Sequence, residues 1–275
     1  MEEKATVQQH FQVRMPQESD PACVTQDFGS VRLLFMNQQQ RRNALSMDLR
    51  EGMKDAMQAA IDDPQVRAIV LTGAGTYFSA GGDITSMKSL NAVAGRPRMQ
   101  RVHGLFKQLY NGPKPVVAAV EGGAIGAGLS LATACDIVVG ARDAKFGAPF
   151  NRIGVMADLG LLFTLPGRIG MGRTRLLAMT GRILDADTAA QWGLVDDVVE
   201  PGSAVQAALS MATDIANGPP VAHTMTKQML GRLPLPIDEF LAAEADAQAL
   251  LFSTEDFAEG RDAFLGKRKP VFSGK

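Results

Sequence analysis

The sequence predicts an α/β fold, and three observations carry that prediction. Short apolar runs, Val31 to Phe35, Ala68 to Thr72, Pro115 to Val120 and Asp136 to Gly140, read as buried strands. Gly-rich turns and helical spacings alternate with these runs, so strand, turn and helix recur along the chain. Past Gly202 the character changes to helix after helix. The chain has 275 residues, of which 46 % are hydrophobic and 21 % charged, enough for one large core with a smaller helical appendage.

Val24 to Gln26, Gly29-Ser30 and Val31 to Phe35 predict a β-hairpin turning at the Gly-Ser pair. Ser46 is a candidate N-cap for a helix whose apolar face is Leu49, Met53, Ala56, Met57, Ala60 and Ile61; Asp62-Asp63-Pro64 ends it. Ala68 to Thr72 is the next strand, and Phe78 to Asp83 is Gly-rich. A helix from about Gln100 to Asn111 ends before Pro113. Pro115 to Val120 leads through a second Gly-rich turn into a helix over Gly126 to Ala134. Four C-terminal helices follow: Ala204 to Asn217, Pro219 to Gly231, Ile237 to Phe252 and Glu255 to Leu265. Residues 1–22, polar and bounded by prolines, read as a loose tail, residues 23–217 as the α/β core, and residues 218–275 as a helical region.

The formal net charge of −1 gives no global field toward nucleic acid or an anionic membrane. No apolar run approaches the length that spans a bilayer. No positive segment followed by an apolar run opens the chain, which argues against a secretory leader. Cys23 and Cys135 make neither a disulfide framework nor a metal spacing, so a reduced cytoplasm is the expected home. His10, His103 and His223 are scattered, which argues against a zinc site.

The two Gly-rich turns are Phe78-Ser79-Ala80-Gly81-Gly82-Asp83-Ile84 and Glu121-Gly122-Gly123-Ala124-Ile125-Gly126-Ala127-Gly128. Small residues let a ligand approach the backbone. The second turn ends as the first turn of a helix, where free N–H groups and the positive dipole end favour negative charge. Read alone, either turn is also simply a tight connection. Neither is a P-loop, because no Gly-Lys-Ser/Thr follows, and Gly126-Ala127-Gly128 lacks the third glycine of a dinucleotide fingerprint.

Together these turns, with Arg42-Asn43-Ala44-Leu45, Lys114 to Gly122, Ala134-Cys135-Asp136-Ile137, Lys145-Phe146-Gly147, Ala189 to Val195 and Ala263 to Pro270, resemble the crotonase (enoyl-CoA hydratase/isomerase) superfamily, in order from about residue 24 to 272. The resemblance implies a ββα spiral core that binds acyl-CoA and a C-terminal helical trimerisation domain. It implies an oxyanion hole from the backbone N–H groups of Ala80 and Ala127, and coenzyme A contacts at Ala44, Asp83 and Ile84. Phe264 and Lys267 match positions that often reach the coenzyme A of a neighbouring subunit; from the residues alone they are a buried aromatic and a solvated base. No cofactor is implied beyond the coenzyme A of the substrate, and self-association as a trimer or dimer of trimers is.

The sequence departs from the hydratases at the two positions where they carry glutamates. Ser130 and Phe150 stand there, and neither is a general base. An acyl pocket is expected from Ser130, Phe150 and the segment Thr85 to Arg98, with Met87, Leu90 and Met99 as an apolar, adaptable wall. Asp158 remains. The residues alone allow it to be an N-cap for a helix over Leu159 to Leu165. The pattern Phe150-x-x-Ile153-Gly154-x-x-x-Asp158-x-Gly160 resembles isomerase branches of the superfamily, in which an aspartate at this position transfers a proton. The favoured expectation is therefore double-bond isomerisation with Asp158 as acid and base. Enoyl-CoA hydration is the alternative. Dehalogenation of a haloaroyl-CoA by Asp158 with His103, and a non-catalytic acyl-CoA binder, are further readings.

Overall fold

A computed structural model describes residues 10–87 and 91–275. It begins with the hairpin β1 (Cys23–Phe28) and β2 (Val31–Met36), antiparallel and turning at Gly29-Ser30 as the sequence predicts. Helix α1 (Met47–Asp62) starts at Ser46, whose hydroxyl accepts from the Leu49 N–H at 3.2 Å. Strand β3 (Ala68–Gly73), helix α2 (Ala92–Asn111), strands β4 (Val116–Val120) and β5 (Gly123–Ile125), and helix α3 (Ala127–Ala134) follow. Then come β6 (Ile137–Ala141), β7 (Lys145–Gly147), α4 (Leu161–Thr180, broken at Gly170), β8 (Ile183–Asp185), α5 (Ala186–Trp192) and β9 (Asp197–Val199). The chain ends in α6 (Ala204–Ala216), α7 (Pro220–Gly231), α8 (Ile237–Leu251) and α9 (Glu255–Leu265).

Among the described residues the main sheet runs β1-β2-β3-β4-β6-β9, parallel from β2 onward. Strand alternation sorts its side chains between two cores. Leu34, Met36, Ile69, Leu71, Val116 and Ala118 face α1, α2 and α3, whereas Leu33, Phe35, Val70, Val117 and Ala119 face α6. A second sheet, β5-β7-β8, lies beyond the first. It is where the second Gly-rich turn becomes a strand, because Gly123 to Ile125 pair in parallel with Lys145 to Gly147.

Two differences from the sequence expectations have clear causes. Helix α2 starts at Ala92 rather than near Gln100, because the Asn91 side chain accepts from the Ala94 N–H at 3.0 Å and caps it. Pro97 is tolerated inside because the carbonyl it leaves without a donor belongs to Val93, which is 84 % exposed to water. Residues 10–22, expected to be loose, are tied down. Phe11 packs edge-on against Phe28 with centroids 5.6 Å apart, and its backbone N–H and C=O both bond the Gln206 side chain at 2.9 Å. Residues 1–9 lie outside the described residues.

Lys227 of α7 is 6 % exposed and spends all three donors: on the carbonyls of Leu109 (2.6 Å) and Lys114 (2.9 Å), and on Asp136 Oδ2 (2.7 Å). Asp136 also accepts from the Val116 N–H at 2.7 Å, so this one ammonium joins α7 to α2, β4 and β6. Lys227→Met is expected to destabilise the fold by about 3 kcal/mol, the lower end for breaking a buried pair, because the Asp136 side chain keeps 31 % exposure. Urea unfolding of the variant checks this; a change within experimental error contradicts it.

Candidate active site

The two Gly-rich turns lie side by side. The Ser79 N–H donates to the Gly123 carbonyl at 3.1 Å, and the Ile125 N–H returns to the Ser79 carbonyl at 3.0 Å. On the other side the Leu45 N–H donates to the Gly81 carbonyl at 2.7 Å, so Ala44-Leu45 borders the first turn. Glycine is required where the turns touch. At Gly81, with φ +98°, a Cβ would stand 2.6 Å from the Ile125 carbonyl oxygen and 3.2 Å from the Ala127 nitrogen. At Gly128 it would meet the Ser79 carbonyl oxygen at 2.5 Å.

Ala127 is the first residue of α3, and among the described residues its N–H has no acceptor. Ala80 differs from the sequence expectation of a second free donor. Its N–H donates to the Arg42 carbonyl at 2.8 Å. Left-handed backbone at Arg42 (φ 48°) and Asn43 (φ 53°) turns that carbonyl toward the first Gly-rich turn.

Ala80, Gly126 and Ala127 line a cavity of about 850 Å³, which Ile84, Met87, Met99, Phe150 and Leu161 help to wall. Met87 and Phe150 thus line this cavity, and Leu90 lies outside the described residues. Ser130 is a correction. It is fully buried on α3, does not line the cavity, and turns its hydroxyl to the Gly126 carbonyl at 3.4 Å. The helix presents its N-terminus to the cavity, and a short side chain one turn along cannot reach past it.

Asp158 lines the same cavity, and it is the one carboxylate among the described residues that do. It is not an N-cap. Helix α4 begins at Leu161 with Gly160 at the cap and no side-chain cap bond, and it is the Asp158 backbone carbonyl that accepts from Leu161. Its Oδ1 is buried and, among the described residues, without a hydrogen-bond partner. Burial pushes the carboxyl above the usual aspartate range, and the charges of Arg50, His103 and Arg98 oppose that shift. The folded state binds the proton more tightly than the unfolded chain, so Asp158 favours folding at low pH. That contribution is lost as pH rises from the ordinary aspartate value of 3.8 through the raised folded value. Asp158→Asn is accordingly expected to be more stable than the parent at neutral pH, an advantage that vanishes below the ordinary value; thermal melts at both pH values read it.

Sequence reasoning missed Arg50. It sits on the buried face of α1, is 5 % exposed, and lines the cavity with Arg98 and His103 of α2. A basic residue in register with Leu49 and Met53 was the available clue. Glu121 faces away from the cavity and caps α6 instead, accepting from the N–H groups of Ala204 (2.9 Å) and Gly202 (3.1 Å). Asp83 is held below the usual carboxylate range by the Thr85 hydroxyl at 2.6 Å and lies 3.6 Å from Arg41. Ile84 is 57 % exposed at the cavity wall. Phe264 (83 % exposed), within α9, and Lys267, just after it, are on the surface away from their own chain's cavity, so the buried-aromatic reading of Phe264 fails. The Cys135 thiol is pushed up to about 12 by burial, which removes it as a nucleophile at neutral pH.

The fold and cavity define a mixed α/β protein with a largely apolar ligand site, opened where one helix begins and carrying, among the described residues, a single half-buried acid. Residues 27–275 match the family model described as enoyl-CoA hydratase/isomerase, and the chain belongs to that family of acyl-CoA enzymes. It is 37 % identical over 243 residues to the short-chain-enoyl-CoA hydratase of Clostridium acetobutylicum, covering 88 % of this chain and 93 % of that one. It is 33 % identical over 251 residues to the 1,2-epoxyphenylacetyl-CoA isomerase of Escherichia coli, covering 89 % and 95 %. The crystal structure of an enoyl-CoA hydratase from Bacillus anthracis superposes with a TM-score of 0.88 at 28 % identity, covering 92 % of this chain and all of that one. The crotonase-type core expected from the sequence is thus its fold. Hydratase names outnumber isomerase names among such relatives, so the comparisons support the hydratase alternative better than the favoured isomerase expectation.

Proposed function

We propose that this protein moves a carbon–carbon double bond in an enoyl-CoA thioester by proton transfer through an enolate. The observation that carries this reading is Asp158, a half-buried acid on an apolar wall, one of whose oxygens is buried and unpartnered among the described residues, with a raised pKa. In a 3-enoyl thioester the Asp158 carboxylate takes the proton from C2. The electron pair moves onto the thioester oxygen, which the Ala127 N–H stabilises, joined by Ala80 when its N–H is shared with the ligand rather than with Arg42 alone. Asp158, now the acid, returns the proton at C4, and the double bond lies between C2 and C3. No electrons leave the substrate, so the step needs no redox group. Coenzyme A contacts Ala44, Asp83 and Ile84, and Phe264 and Lys267 serve a neighbouring copy's site.

Hydration is the second reading, favoured by the names of the relatives. It requires a group to activate water, and Phe150 and Ser130 cannot do so. Mass spectrometry of the product separates the two readings. Isomerisation conserves mass, whereas hydration adds one water. A product heavier by one water, with no shifted isomer, would sink the isomerase assignment.

The surface of the C-terminal helices supports self-association as a trimer or dimer of trimers. Helix α8 buries none of its residues in the single chain, while Ile237, Leu241, Leu250 and Phe252 are each at least half exposed. Sedimentation that finds only monomer contradicts it. A cytoplasmic location follows from the substrate, and among the described residues no helix is long and apolar enough to cross a membrane.

A further inference from the structure

Apart from Asp158, the charged groups on the cavity wall are cationic, and the most buried of them has no anionic partner among the described residues. The Nε–H of Arg50 donates to the Leu45 carbonyl at 2.9 Å. Among the described residues the rest of that guanidinium has no hydrogen-bond acceptor, and no carboxylate comes within 4.0 Å of it. Burial weakens its hold on its proton, and the nearby charge of Arg98 weakens it further. Among the described residues Arg98 itself has only a hydroxyl partner, Ser86 Oγ at 2.9 Å. The two acids that act on Arg50 do so from a distance. Asp83 is engaged by Thr85 and Arg41, and Asp158 is pushed toward its neutral form. A buried guanidinium is costly unless an anion meets it, and its planar fork matches a carboxylate.

We propose that the acyl group of the substrate carries a second carboxylate, which the Arg50 guanidinium binds inside the cavity with Arg98 beside it. The inference rests on the reading that the acyl group occupies this cavity. The phosphates of coenzyme A are a poorer match for Arg50, because they lie a pantetheine arm away from the thioester. Arg50 shares its cavity with Ala127, Phe150 and Asp158, whereas Arg41 and Arg42, on the loop beside the expected coenzyme A contacts, are exposed.

Calorimetric titration of the full chain with hexanoyl-CoA and adipyl-CoA tests this. Both are saturated thioesters with acyl chains of equal length, so binding is read without turnover. Adipyl-CoA is expected to bind about tenfold or more tightly, as one charge-assisted fork would give. In Arg50→Met the ratio of the two affinities is expected to fall toward one, whatever the absolute affinities, and in Arg50→Lys to lie between. Equal or tighter binding of hexanoyl-CoA by the parent protein overturns the proposal, as does a ratio unchanged in Arg50→Met. If Arg50→Met does not fold, the parent ratio and Arg50→Lys decide. A preference for adipyl-CoA in a protein that shifts no double bond when given the corresponding 3-enoyl thioester would overturn the isomerase reading alone. Failure of both thioesters to bind would overturn both readings.

Discussion

Asp158→Asn is expected to lower enoyl-CoA turnover by about a hundredfold to ten-thousandfold, the range over which one positioned acid–base group acts. The amide has nearly the shape of the acid but cannot take a proton from C2, so acyl-CoA affinity is expected to stay near that of the parent. The combination is diagnostic because Asp158 is the one carboxylate among the described residues lining the cavity. Lost turnover with retained affinity, together with the higher stability expected at neutral pH, describes a group held in the fold for chemistry against its own burial cost. In the active parent, kcat/KM plotted against pH is expected to rise with a limb above the ordinary aspartate range, because burial raises this pKa. Turnover unchanged in Asp158→Asn would end the assignment.

Ala127→Pro is expected to lower turnover by about a hundredfold to a thousandfold, the effect of losing one oxyanion donor. Proline at the first position of a helix removes an N–H that the helix does not use and keeps a favourable φ, so α3 is expected to persist. Ala127→Gly keeps the donor, and the contrast between the two variants reads the N–H rather than the side chain. Circular dichroism confirms that helix content survives. Equal activity in the two variants would show that the thioester oxygen is not held at Ala127. The test is sharper here than at Ala80, whose N–H is already engaged by Arg42.

Much of the fold was legible because each element carries its own periodicity. The hairpin turn at Gly29-Ser30, the Ser46 cap and the four C-terminal helices came out within a few residues of their observed bounds. The start of α2 was missed because Gly95 and Pro97 are poor helix formers, whereas the Asn91 cap starts the helix before them. Phe11 read as part of a loose tail because its partners, Phe28 and Gln206, are distant in sequence. The same limit applies to the site. The Gly-rich turns and Asp158 are visible as local patterns and through a family resemblance.

By itself the sequence determined the α/β class, the two Gly-rich turns, the absence of both hydratase glutamates and the presence of Asp158. Only the tertiary structure decided which of these meet. It put Asp158, Arg50, Arg98 and His103 around one cavity with Ala127, and it set Ser130 behind the wall. It also turned Asp158 from a possible cap into a half-buried acid with one oxygen buried and, among the described residues, unpartnered. The reason is physical. A pattern of spacings fixes local hydrogen bonds and the face a residue shows, whereas burial, unpaired polar atoms and the charges that shift a pKa depend on neighbours brought together only when the chain packs.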